Sequence, residues 1–248
     1  MAATPPPVQA SLVRPGAFHT TRWSVVLAAQ EKSAQDSLQS LEDLCRQYWP
    51  PLHAYVRQRV HSEHDAQDLT QAFFARLLEK DWLAAADRQR GRFRSFLLMA
   101  LKRFLANEWD RSQAVKRGGG AKTISMDSAE PFSLADPKAI SADALFERQW
   151  ALTLLESVMQ RLRDEHEASG RLAEYEVLKP CLTAERGSTD YAALAAALNL
   201  EPASARSVVH RLRKRFRDLF RDEVSGTVAD PADVEDEMRG VIAALGPA

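Results

Sequence analysis

Apolar residues recur along this chain at helical spacing, and no stretch alternates apolar and polar positions as a half-buried strand would. In "EHDAQDLTQAFFARLLEK" (63–80), Leu69, Phe73, Arg76 and Leu77 fall on one helical face, and the acids gather in the first turn, where the helix dipole favours them. "GRFRSFLLMALKRFLANEWDR" predicts a longer helix that buries Phe93, Phe96, Leu97, Ala100, Leu101, Phe104 and Leu105. Upstream, "TTRWSVVLAAQ" opens a helix capped by Thr20 or Thr21, with Trp23, Val26 and Leu27 as its apolar stripe. "SLEDLCRQYWPPLHAYVRQRV" reads as a helix that must kink or split at Pro50 and Pro51, since proline removes a donor and clashes with the preceding turn.

After residue 111 the pattern lapses. "SQAVKRGGGAKTISMDSAEPFSLADPKAIS" has three glycines, two prolines, several serines and no sustained period, which reads as a linker. Helical spacing resumes at "ADALFERQWALTLLESVMQRLRDEH", breaks at Gly170, continues through "LAEYEVLKPCL" and ends near "TAERGSTD". "DPADVEDEMRGVIAAL" predicts a last helix, with Asp230 as cap and Pro231 at its first position. The expected fold is all-α: two helical lobes joined by a flexible linker, the C-terminal lobe containing a helix-turn-helix. The expected divisions are a disordered N-terminus (1–17), a first lobe (18–115), a linker (116–142), a second lobe (143–222) and an acidic extension (223–248).

Between these elements, "DYAALAAALNLEPASARSVVHRLRKRF" has helix-turn-helix anatomy. Asp190 caps the first helix, and Ala193, Ala196 and Ala197 keep it small where the helices cross. Asn199 takes a left-handed turn position, and Pro202 presets the second helix. In that second helix Ala205, Val209, Leu212 and Phe216 form an inward face. Arg206, His210, Arg213 and Arg217 repeat the spacing one residue on, and Ser207, Arg211 and Lys214 widen that face. A short-side-chain start followed by a cationic body suits base edges first and phosphates after.

Charge sharpens this picture. The formal net charge is −1, yet residues 203–221 hold seven Arg/Lys and one acid, and residues 84–117 hold nine bases and three acids. Residues 62–81 carry five acids against two bases, and 222–248 carry seven against one. Such asymmetry implies separate surfaces for separate partners, with polyanions the targets of the basic ones. No apolar run reaches the roughly 18 residues of a membrane helix. The N-terminus lacks a secretion-signal pattern. Cys45 and Cys181 therefore read as reduced core thiols of a cytoplasmic protein. Candidate chemistry is thin. His61 and His64 beside Glu63 and Asp65 are loosely metal-like but lack a third ligand, and "RGGGAK" lacks the strand and the Ser/Thr of a phosphate loop. The sequence implies no enzyme, no catalytic residue, no metal site and no cofactor.

Two motifs carry a resemblance. "DAQDLTQAFFARLLEK", a loop and "FRSFLLMALKRFLANEWDR" resemble the part of bacterial sigma factors that binds the polymerase clamp and opens the promoter. The subfamily that it looks like is the extracytoplasmic-function type. Asp65, Ala66, Asp68, Leu69, Gln71 and Phe74 match its D-A-E-D-L-V-Q-E-x-F pattern. "SARSVVHRLRKRF" is similar to the family's T-V-K-S-R-L-H-R-A-R-K-R-L, with Ser204, Arg206, Ser207, His210, Arg211, Arg213, Lys214 and Arg215 in line. The chain departs at Gln67, Ala72, Phe96, Arg103 and Val208.

The resemblance implies partners and sites. Asp65, Asp68, Gln71 and Phe74 would bind the clamp of the largest subunit of core RNA polymerase. Arg92, Lys102, Arg103, Asn107 and Arg111 would meet the minus-10 element, the loop "AAADRQRGRFR" holding a flipped base and Trp109 a candidate to stack there. Ser204, Arg206, Ser207, His210, Arg211, Arg213 and Lys214 would meet the minus-35 element in the major groove. Apart from the resemblance, the seven acids of the extension suggest that it folds onto the basic recognition face and tunes DNA binding. Promoter DNA and core polymerase are the implied partners, with room for an anti-sigma regulator and none for a membrane. The competing reading is a stand-alone helix-turn-helix regulator, which would bind duplex DNA without polymerase and have no use for the acidic helix at 63–80.

Overall fold

The computed structural model describes residues 26–27, 29, 35–79, 82–87, 91–117, 140–185 and 187–246, and among them every regular element is a helix. They are α1 (Gln35–Arg57), α2 (Glu63–Glu79), a 3-10 turn at Trp82–Ala85, and α3 (Phe93–Arg117), then α4 (Ala142–Ala168), α5 (Leu172–Leu178) and α6 (Pro180–Thr183). α7 (Tyr191–Leu198), α8 (Pro202–Ser225), a 3-10 turn at Pro231–Asp233 and α9 (Val234–Leu245) complete the chain order. Thr20, Thr21, Trp23 and most of the expected linker lie outside the described residues.

α4 organises the rest. Phe146, Trp150, Leu154, Val158 and Leu162 recur every fourth residue and are all buried, and Ala151 widens the stripe. Burying each large apolar side chain contributes about 1.5–3 kcal/mol, so this one face anchors much of the fold. Ser141 starts the helix by accepting from the Ala144 N–H at 3.1 Å. Gly170, at φ +70°, stops it, and the N–H groups of Gly170 and Arg171 return to the carbonyls of Glu167 and His166. Along its length α4 packs against α1 from the first half of the chain and against α5, α8 and α9 from the second. The two halves thus share one contiguous core, running from Val26 to Val241.

Several local expectations change. Pro50 and Pro51 do not split α1, which continues through them as one helix. The lost donors are tolerated because Tyr48, Leu52, Tyr55 and Val56 are buried on both sides of the pair, so packing holds the helix. α3 continues to Arg117, two residues into the expected linker (116–142), through the good helix formers Gln113, Ala114, Lys116 and Arg117. Phe96 and Ala100 are half-buried, while Phe93, Leu97, Leu101, Phe104 and Leu105 are buried. Leu27 is 46% exposed, and the neighbouring helical residues Val26 and Ala29 are buried instead. Cys45 and Cys181 are unbridged thiols whose pKa values are raised, chiefly by burial. No described helix is long and apolar enough to cross a membrane.

Candidate nucleic-acid interface

The α7–α8 pair is built by local chemistry. Asp190 Oδ1 accepts from the N–H groups of Ala192 and Ala193, both at 3.0 Å, and so caps α7. Asn199 stops α7 in the left-handed region, φ 54° and ψ 47°, a conformation that asparagine tolerates better than most residues. The Leu200 N–H then reaches back to the Ala195 carbonyl at 2.8 Å. Pro202 sits in the first turn of α8. The close approach of the helices is made by Leu194 and Ala195, which are buried; Ala193, Ala196 and Ala197, expected at the crossing, face out. A stripe of three alanines fits either side of so short a helix, and leucine selected the other.

α8 divides cleanly. Ala205, Val209 and Leu212 are buried and Phe216 is half-buried, as the spacing predicts. Opposite them Ser204, Arg206, Ser207, His210, Arg211 and Lys214 are exposed. The Arg206 guanidinium lies 5.3 Å from the centre of the Tyr191 ring, a contact that ties the face back to α7. Arg213 behaves differently. At the border between the two faces it is half-buried, and its Nε and Nη2 both donate to the Cys181 carbonyl, at 3.0 and 2.8 Å. It braces α8 on α6, so of the cations expected to contact DNA it is the one tied to the body of the protein by hydrogen bonds. Arg215 is likewise held, as a fork on Glu165 with Nε donating at 2.8 Å.

Part of the basic set on and around α3 is engaged from within the molecule. Lys102 Nζ lies 2.6 Å from Asp143 of α4. Arg111 pairs with Glu108 of its own helix, and Arg103 and Asn107 are exposed. Trp109 is half-buried, and residues 88–90 of the flanking loop lie outside the described residues. Arg92 Nη2 stands 2.7 Å from Glu237 of α9, an ion pair off the axis of a hydrogen bond. Arg94, which sequence reasoning left out, is the centre of this group. Its side chain is 4% exposed and its guanidinium lies 4.1 Å from the centre of the Trp150 ring. Its Nε donates to Glu147 at 2.9 Å and its Nη1 to Glu237. Burial alone would lower its pKa, but the Glu147 and Glu237 carboxylates outweigh burial and raise it. The acidic extension therefore does not fold onto the recognition face. α9 packs on α4 and on α8, where Glu235 pairs with Arg221 near the C-terminal end of α8, and it turns Glu237 toward α3.

The acidic helix α2 presents part of its expected set. Asp68 and Gln71 are exposed and Asp65 is half-buried. Ser62 Oγ accepts from the Asp65 N–H, and Glu63 reaches back to Arg57 Nε at 2.7 Å, which closes the α1–α2 turn. Phe74 is 7% exposed, stacked on Trp49 at 5.9 Å and set edge-on to Phe73 at 5.7 Å. It holds α2 against α1 and is not a surface contact, which corrects its assignment to the polymerase-binding set. His64 pairs with Asp68 at 3.5 Å, and no group of three or more His, Cys, Asp or Glu among the described residues is placed to hold a metal.

Neither the curated proteins nor the solved structures yield a match to this chain. Among protein families, residues 44–115 match Sigma-70 region 2. Region 2 of that family binds core RNA polymerase and promoter minus-10 DNA. The match begins within α1, takes in all of α2 and stops two residues short of the end of α3. This stretch of the chain is similar to sigma-70 region 2.

Proposed function

We propose that the protein is a sigma factor of the extracytoplasmic-function type, which binds core RNA polymerase and directs it to promoters for transcription initiation. The observation that carries this reading is the coincidence of a region 2 match over 44–115 with a separate, outward cationic face on α8. Asp65, Asp68 and Gln71 would meet basic side chains on the polymerase clamp. Arg92, Lys102, Arg103, Asn107 and Arg111 would meet the minus-10 element, and Ser204, Arg206, Ser207, His210, Arg211 and Lys214 the minus-35 element. Arginine pairs bidentately with guanine in the major groove, and the remaining cations take phosphates, so binding falls steeply with salt. Melting follows from holding an unpaired base outside the stack, at a cost of a few kcal/mol offset by pocket and polymerase contacts. No covalent step is involved.

The test is run-off transcription with core polymerase, the full chain and a promoter library. Specific initiation dependent on the chain is the expected result. Tight duplex binding with no association with core enzyme would overturn the reading in favour of a stand-alone regulator.

A further inference from the structure

Glu237 is 0% exposed, and both of its oxygens face arginine: Oε1 takes Arg94 and Oε2 lies 2.7 Å from Arg92 Nη2. Two guanidinium groups converging on two oxygens of one anion form the arrangement that holds a backbone phosphate. Arg94 is preset by the interior, through Trp150 and Glu147, and Arg92 reaches in from the surface, 44% exposed. The anion that fills the site is the chain's own carboxylate. Two turns farther along α3, Lys102 is held by Asp143. The cations of α3 nearest the second half of the chain are thus engaged by acids from that half.

We propose that α9 is an internal inhibitor: Glu237 occupies a phosphate position on the DNA-binding face of the region 2 domain, and α9 must leave α3 before a nucleic-acid backbone binds at Arg92 and Arg94. The proposal rests on the reading of α3 as a DNA-binding face and adds its regulation. α9 is suited to release. It is a 12-residue helix that packs on α4 and α8 through buried Val234 and Val241 and half-buried Met238, Ala244 and Leu245, with Ile242 60% exposed. A buried ion pair has given up the hydration of both ions. Concerted release therefore returns that hydration, and it is far less costly than deleting one partner. A polyanion that takes over the arginines makes the exchange nearly balanced.

The experiment uses the full chain and a fluorescein-labelled, partly single-stranded DNA oligonucleotide as probe. Amide hydrogen exchange of residues 234–245 should accelerate when the probe saturates the wild-type chain, and unchanged or slower exchange would overturn the proposal. Glu237→Gln should tighten probe binding about tenfold, the size of a typical coupling between sites. Glu235→Gln, which touches only the exposed pair with Arg221, should leave binding unchanged. In an Arg92→Ala background the gain from Glu237→Gln should shrink, because one of the two arginines it frees is gone. A folded Glu237→Gln chain with wild-type affinity would sink the idea. If that variant does not fold, the exchange experiment on the wild-type chain decides alone. Co-migration with core polymerase is scored separately. Its failure would remove the sigma-factor reading and leave the inhibitory contact standing, and the converse result would do the reverse.

Discussion

α3 and α8 are both arginine-rich helices, yet the surrounding fold treats their cations in opposite ways. On α3 and just before its start, Arg94, Arg92 and Lys102 meet Glu147, Glu237 and Asp143, all contributed by the second half of the chain. On α8, Arg206, Arg211 and Lys214 face outward, and the cations that are held, Arg213, Arg215 and Arg221, lie at or beyond the edge of that face. Basic composition therefore states how many cations an element has, and the acids packed against it state how many are presented. One helix is arranged to be unmasked, the other to be ready.

The largest effect that could break this comparison lies at Arg94. Arg94→Ala leaves Glu237 buried with only the exposed Arg92 opposite, and removing one partner of a buried pair costs about 3–5 kcal/mol. At about 2–4 °C per kcal/mol for a chain of this size, the midpoint should fall by roughly 10 °C in a thermal melt. Arg94→Leu combined with Glu237→Leu should recover most of that loss, since an apolar pair of similar volume is often neutral. If the single variant melted like wild type, the arginine would not be held as described.

On α8 the same substitution should separate two kinds of arginine. Arg206→Ala and Arg211→Ala should each weaken duplex binding by about 1–3 kcal/mol, with little change in melting. Arg213→Ala should do the opposite. It removes both donors from the Cys181 carbonyl and should cost about 1 kcal/mol of stability, with a smaller loss of affinity. Equal losses of affinity at all three positions, measured by fluorescence anisotropy, would erase the distinction.

Asp190→Ala tests the positioning of the presented face. Its carboxylate caps α7 through two backbone N–H groups, and loss of such a cap costs about 1 kcal/mol. The expected outcome is a small fall in melting temperature together with weaker binding, because Tyr191, the first residue of α7, carries the ring against which Arg206 lies.

What was legible in the sequence follows from how local each feature is. The cap at Asp190, the left-handed turn at Asn199 and the inward face Ala205–Val209–Leu212 depend on neighbours within one or two turns, and periodicity reads them directly. The region 2 match falls on the stretch whose D-A-x-D-L pattern carried the resemblance. Ionic partners across the chain left no such trace. Arg94 and Glu237 are 143 residues apart, and in the sequence one looks like a DNA-facing cation and the other like one acid among seven. The continuity of α1 through Pro50 and Pro51 was hidden for the same reason, since α4 packs along that helix from more than 80 residues away.

The smallest effect concerns a held cation of α8 that lies outside the presented face. Arg215 forks onto Glu165 of α4, and that hydrogen bond, against a smaller opposing contribution from burial, lowers the Glu165 pKa below its ordinary value. A carboxyl depressed in the folded state adds stability above its unfolded pKa, about 4.3, and that stability is lost as pH falls through the folded value. Both side chains are well exposed, so solvent screening holds the contribution to about 0.5 kcal/mol or less. Glu165→Gln should therefore cost a fraction of a kcal/mol at neutral pH, and its difference from wild type should shrink as the pH falls below the unfolded value and through the lower folded one. DNA binding measured at neutral pH should be unchanged, because the pair braces α8 on α4 and leaves Arg206, Arg211 and Lys214 outward. A Glu165→Gln chain that kept its stability but bound duplex more tightly would show Arg215 to be a masked contact, and the second helix would then resemble the first.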